Sequence, residues 1–234
     1  MTKTATAPPK KEKSQTGFAI AVVIISVICI PYLYYAIWIN SYGNKTKPEG
    51  SLFPQYADAW KVAVGCIVIM ALEKVFHFLL YPLFLSISKE QNDPQVKEKY
   101  AQKAVKTGFA SCYFMISSFW GWYVLKDKPS LPWLIGGHGS FENFSCDNFF
   151  PEMDEAVYNY SLFTMGYHVQ NAIQHIFLHE RMNDFQEMLL HHIAAFCLYF
   201  CFIFGNLHEV GATIAFLHDL ADIPGNMSKC INST

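Results

Sequence analysis

The chain has 234 residues, of which 52% are hydrophobic, 16% aromatic and only 15% charged. Ordinary soluble domains carry about 25% charged residues, so this composition points to a bilayer rather than to water. A formal net charge of −2 gives nucleic acid no electrostatic footing. Of the seven cysteines, Cys29, Cys66, Cys112, Cys197 and Cys201 lie inside apolar runs. No CxxC pair or regular framework appears, which predicts no disulfide scaffold and no zinc site.

Residues 1–17 are polar and basic around Pro8-Pro9 and read as a disordered cytosolic tail. A first apolar run, Phe18 to Ile39, is long enough for one crossing at about 20 residues per span, with Pro31 expected to kink it rather than end it. A second runs from Lys61 to Ile87 and contains Glu73, Lys74 and His77. Glu73 and His77 are spaced to share a helix face. Charges at such depth often mark functional sites, but adjacent Glu73 and Lys74 also suit the end of a shifted span or a packing role. Residues 88–106 carry Lys89, Lys97, Lys99, Lys103 and Lys106 and read as a basic loop.

A third span is expected over Thr107–Leu125, followed by an acidic loop over 126–156. A fourth is expected over Val157–Leu178. After a polar turn at 179–184 comes a fifth, Phe185–Phe204, closed by a tight turn at Gly205-Asn206. A short sixth, Leu207–Ile223, is expected to stop near Pro224-Gly225. The fold expected is therefore all-α, a polytopic transmembrane bundle of about six spans. The positive-inside rule puts the N-terminus and the 88–106 loop in the cytosol. Alternation then puts the 205–208 turn in the lumen, along with the sequons at Asn44 and Asn143, and returns 224–234 to the cytosol.

Seven of the nine histidines fall between Tyr167 and Asp222: His168, His175, His179, His191, His192, His208 and His218. Adjacent His191 and His192 point about 100° apart on a helix, so at least one must face protein or a cavity. His218, Asp219 and Asp222 are spaced to approach a common face. Two antiparallel helices joined by the tight turn would bring both clusters to a similar depth, near the cytosolic mouth. Imidazole backed by carboxylate suits general-base chemistry, and a nucleophilic imidazole is a second option. A buried polar network that glues helices is the non-catalytic reading. His175 and His179 have a spacing found in di-iron sites, but Met188 stands where an HxxHH cluster needs histidine. No metal is expected.

Three segments in order carry a resemblance: Asp184-Phe185-Gln186-Glu187-Met188-Leu189-Leu190-His191-His192-Ile193, then Asn206 with Gly211, then Leu217-His218-Asp219 with Asp222. They resemble the Lag motif of the TLC-domain family, whose main enzymatic branch is the ceramide synthases. Weaker similarity reaches back through Tyr158 and Tyr160 to Lys126-Asp127-Lys128-Pro129 and Trp133. Departures are Glu209, where the family usually has a basic residue, and Met182-Asn183, where it has Arg-Lys.

The resemblance implies residues 18–106 as two N-terminal spans with a basic loop, and 107–234 as a TLC domain that lacks two of its six helices. It implies a sphingosine N-acyltransferase of the endoplasmic reticulum membrane. Such an enzyme joins an acyl group from acyl-CoA, a co-substrate rather than a bound cofactor, to the amine of a sphingoid base, amid membrane lipid and in a homo- or hetero-dimer. His191, His192, His218, Asp219 and Asp222 would be its catalytic residues. The alternative is a non-catalytic TLC protein that regulates lipid composition or handles cargo.

Overall fold

The computed structural model describes residues 15–88, 93–139, 153–177 and 185–234. Several sequence expectations lie outside that range: most of the tail, Lys89, the middle of the acidic loop with the Asn143 sequon, the last residue of the fourth span, and the 179–184 turn with His179 and Asp184.

Six α-helices follow one another among the described residues: α1 (Gln15–Thr46), α2 (Ala59–Ile87), α3 (Pro94–Leu125), α4 (Glu155–Phe177), α5 (Phe185–Phe204) and α6 (His208–Ile231). No strand is present among the described residues, only one isolated bridge between Pro132 and Gly139. Two stretches, Ile20–Thr46 and Tyr56–Ile87, are long and apolar enough to cross a membrane, and Met188–Phe204 is a shorter apolar helix.

The helices alternate in direction. α3 and α6 run antiparallel and pack most extensively, with Ser117 against Asp219 and Ala104 against Cys230. α2 and α4 run parallel, linked by Lys61 to Asn159 and Glu73 to Gln170. Gly166 permits this crossing: a Cβ there would stand 3.0 Å from the backbone of Val62 and Cys66, so any larger residue must push α2 away. α4 is the most enclosed helix, with Tyr158, Tyr160 and Leu162 in the core. α1, by contrast, turns Val23, Val27 and Tyr34 outward. At the α1–α2 hairpin, the Asn44 side-chain amide donates to Asn40 O and Pro54 O at 3.0 and 3.1 Å, so this sequon asparagine staples the turn.

Two expectations are corrected. Residues 94–106 are not a loop but the first third of α3. The Asp93 carboxylate caps it by accepting from Gln95 N at 2.9 Å, and Pro94 occupies the first turn. Beneath the lysines runs a buried stripe of small residues, Ala101, Ala104, Val105 and Gly108, at the spacing of one helix face. Nor does α6 stop at Pro224; it continues to Ile231. A proline deprives a helix of one hydrogen bond. Here Ile223 joins the cluster around Tyr113 and Phe114, the Cys230 thiol reaches Ala104 O, and Asn226 Nδ2 donates to Asp222 O at 2.9 Å. Packing on α3 holds the last two turns in place. The Gly205-Asn206 turn does form, with Asn206 at φ 60°, a left-handed conformation that asparagine tolerates better than most residues.

The start of α4 is tied to the α3–α4 connection. Asp154 accepts from the backbone N–H groups of Ala156 and Val157 and pairs with Lys128. Partial burial pushes this carboxyl up, but the Lys128 bond and the two N–H donors outweigh that and hold it below the usual carboxylate range. Its stabilising contribution is therefore complete above about pH 4, the unfolded value, and is lost as pH falls through the depressed folded value. Lys128→Met should lower the thermal midpoint at neutral pH by an amount worth about 1 kcal/mol or less. The gap to the parent should close in strong acid, as read from melting curves across pH.

Candidate functional site

α4, α5 and α6 each carry one histidine to a common point. His168 is buried on α4, its ring centroid 6.1 Å from His218 of α6. His191 of α5 lies 6.2 Å from His218 on the other side. These three rings border a cavity of about 150 Å³ that otherwise has apolar walls, formed by Ala194, Ala195, Leu198, Phe202, Gly211, Ile214 and Ala215, with Tyr199 beside His168. Small residues on facing helices open this gap. Its volume matches that of an apolar cavity that takes up a benzene-sized hydrocarbon.

Two carboxylates back His218. Its Nδ1 stands 3.8 Å from Asp219 Oδ1 and 3.6 Å from Asp222 Oδ2. Both are ion-pair distances rather than hydrogen bonds. The carboxylates differ in setting. Asp222 is 43% exposed, the more accessible of the two. Asp219 is 1% exposed and turns toward α3, where Ser117 Oγ donates to its Oδ2 at 2.6 Å. Tyr113, Tyr160, Tyr167 and Tyr199 lie within electrostatic reach around it. With Nδ1 facing carboxylates, Nε2 is the nitrogen of His218 left for chemistry. A neutral imidazole so oriented can accept a proton from a group entering the cavity.

The adjacent histidines part as helix geometry requires. His191 faces the cavity and His218; His192 leads away to His175, 5.5 Å between centroids, and does not line the cavity. His191, His218, Asp219 and Asp222 are thus brought together, and His192 is linked to them through His191 at 5.7 Å.

One expectation about depth is corrected. Because α6 runs on past Pro224, His218 and Asp219 sit near its midpoint, roughly 17 Å of helix from either end, not toward its terminus. Sequence reasoning passed over Ser117 and gave His168 no role. Ser117 is one of several serines in α3 and His168 one of many polar groups in α4, so neither stands out by composition.

The second polar cluster flagged by the sequence is also resolved. Glu73 does not pair with His77, which stacks on Tyr81. Its Oε2 instead accepts from the side-chain amides of Gln170, at 2.6 Å, and Gln174, with Lys106 in electrostatic reach. Glu73 thus joins α2 to α4.

The family model for the TLC domain matches residues 103–234, more than half of the chain, and the protein belongs to the TLC-domain family. Curated relatives carry names that specify an activity. The sphingosine N-acyltransferase-like protein FUM17 of Gibberella moniliformis is 24% identical over 82% of this chain and 49% of its own length. Ceramide synthase hyl-2 of Caenorhabditis elegans is 24% identical over 83% of the chain and 58% of its own length. Sphingosine N-acyltransferase lac1 of Schizosaccharomyces pombe is 26% identical over 86% and 50%. The chain spans about half the length of the curated relatives it matches. No solved structure matches it significantly.

The cavity makes a direct prediction. Ala194→Phe fills much of the space between α5 and α6, so uptake of a benzene-sized apolar probe should weaken sharply, with little loss of thermal stability. Unchanged uptake would place the apolar ligand elsewhere.

Proposed function

We propose that the protein is a membrane-embedded, ceramide synthase-like N-acyltransferase that moves a fatty acyl group from acyl-CoA to the amine of a sphingoid base. The observation that carries this reading is the apolar cavity ending in His168, His191 and His218, with two carboxylates behind His218. It occurs in a TLC-domain chain whose relatives are named for that activity. The apolar walls suit the first methylenes of an acyl chain, and the polar end suits the reacting thioester and amine.

In this reading the six helices cross the bilayer in alternation. The exposed apolar faces of α1 and α2 meet lipid, and the polar side chains are buried within, chiefly on α4, as expected where lipid replaces water outside. The lysines of α3 set its N-terminal end in the cytosol, and the membrane is that of the endoplasmic reticulum.

Chemically, the amine nitrogen attacks the thioester carbonyl carbon, the C–N bond forms, and the C–S bond breaks. His191 and His218, which border the cavity, take that nitrogen's proton. Asp219 orients His218 and Asp222 attracts the ammonium, while His192 supports His191 from the adjoining position.

The test is ceramide formation from sphinganine and acyl-CoA in microsomes containing the full chain. The parent should produce ceramide, and His191→Ala and His192→Ala should each lower the rate by about a hundredfold or more at unchanged protein level. Parental activity in the doubly substituted protein would refute the assignment. A parent that inserts stably but makes no ceramide would favour the lipid-regulating reading.

A further inference from the structure

N-Acylation by this route, on which the present inference rests, leaves a proton behind. A protonated sphingoid amine gives up two protons as it becomes an amide. The departing CoA thiolate takes one, and no redox step is involved. The reaction is thus thioester plus ammonium to amide plus thiol plus one free proton. His218 and Asp222 are each 43% exposed, on a face that meets lipid in the membrane reading, and they lie near the midpoint of α6, so the free proton has roughly 17 Å of helix to traverse to reach water at either end.

One direction is apolar. Toward the start of α6 lie the apolar cavity walls at Gly211 and Ile214 and the packed cluster of Leu125, Leu131, Val157 and Phe216. The other direction is lined by imidazoles. From His218 the rings continue to His191 at 6.2 Å, His192 at 5.7 Å and His175 at 5.5 Å. His175 is two residues from the described end of α4. Each gap is within reach of one ring tilt or one bridging water. Two further observations suit a relay. His192 Nδ1 is buried without a hydrogen-bond partner among the described residues, so it is free to accept. His175 Nε2 is fixed by the carbonyl of Phe185 at 3.0 Å, which sets the ring against the start of α5.

We propose that His191, His192 and His175 form a proton exit from the acyl-transfer site to the face that carries the α3 lysines, with His175 as its outer station. The charged and titratable groups facing this route are His168, Asp219 and Asp222 at its inner end, and Lys106 of α3 beside His192. Glu73 lies next to Lys106. Nothing in N-acylation itself requires His175, since it lies two rings away from the cavity.

The test substitutes the outer station in the full chain reconstituted in lipid. His175→Phe keeps an aromatic ring on Phe185, with which His175 stacks at 4.6 Å. The expected result is a fall in kcat of about tenfold with KM for acyl-CoA and sphinganine unchanged. The solvent isotope effect should be larger, and added imidazole should restore kcat in a concentration-dependent way. Parental kcat, or a loss that imidazole does not restore, would overturn the exit route. A parent that makes no ceramide would count against acyl transfer instead. The route is then read without turnover, from the infrared bands of protonated imidazole after a step in pH. His175→Phe should slow the response of His191, His192 and His218 by about tenfold or more, and equal rates in both proteins would contradict the route.

Discussion

A carboxylate sealed inside a helical bundle must be given donors or a cation, because the desolvated charge is otherwise worth several kcal/mol against folding. Asp219 is that carboxylate here, and Ser117 is the donor that α3 supplies, at 2.6 Å. The pair lies in the longest contact of the bundle, between α3 and α6. It fixes the register of the two helices, which the flanking contacts at Ala104–Cys230 and Ser130–Thr213 repeat toward either end. Once α6 is held in that register, His218 must sit on the adjoining face, between Asp219 and Asp222. It thereby faces His168 and His191 across the cavity.

The rest of the architecture serves the same end. α4 carries its polar groups inward: His168 toward the cavity, Gln170 and Gln174 toward Glu73, Thr164 and Ser161 onto their own helix. α1 and α2 form the apolar exterior. α5 and α6 are joined by the tight Asn206 turn, and their small residues leave the cavity between them unfilled. A packed aliphatic seam at this point would add stability and remove the site. The absence of such packing, with histidines at one end, is the local departure from good core design that functional sites show.

How far the sequence could foretell this depends on the element. The C-terminal end of α5 is recovered because the apolar run Ile193–Phe204 meets the Gly205-Asn206 turn. The start of α3 was hidden because lysines on the outer face masked a stripe of alanines, a signal of period rather than of composition. Pro224 misled for the converse reason: a local stop signal was overridden by packing of Ile223 and Cys230 on α3, which no local pattern records. At the site, His191, His192, His218, Asp219 and Asp222 stand out because they are clustered and recur in the Lag motif. Ser117 and His168 do not, since each acquires meaning only when helices distant in sequence are placed in register.

The most direct measurement of this account is a double-mutant cycle on Ser117→Ala and Asp219→Ala, followed by thermal unfolding in lipid and by N-acylation rate. If Ser117 acts through Asp219, each single change should cost about 1–3 kcal/mol. The pair together should cost little more than the larger single loss, a coupling of about 1 kcal/mol or more, with the same non-additivity in the rate. Strictly additive losses in both readouts would contradict it, showing that the two residues act independently and that Ser117 does not hold the carboxylate behind His218.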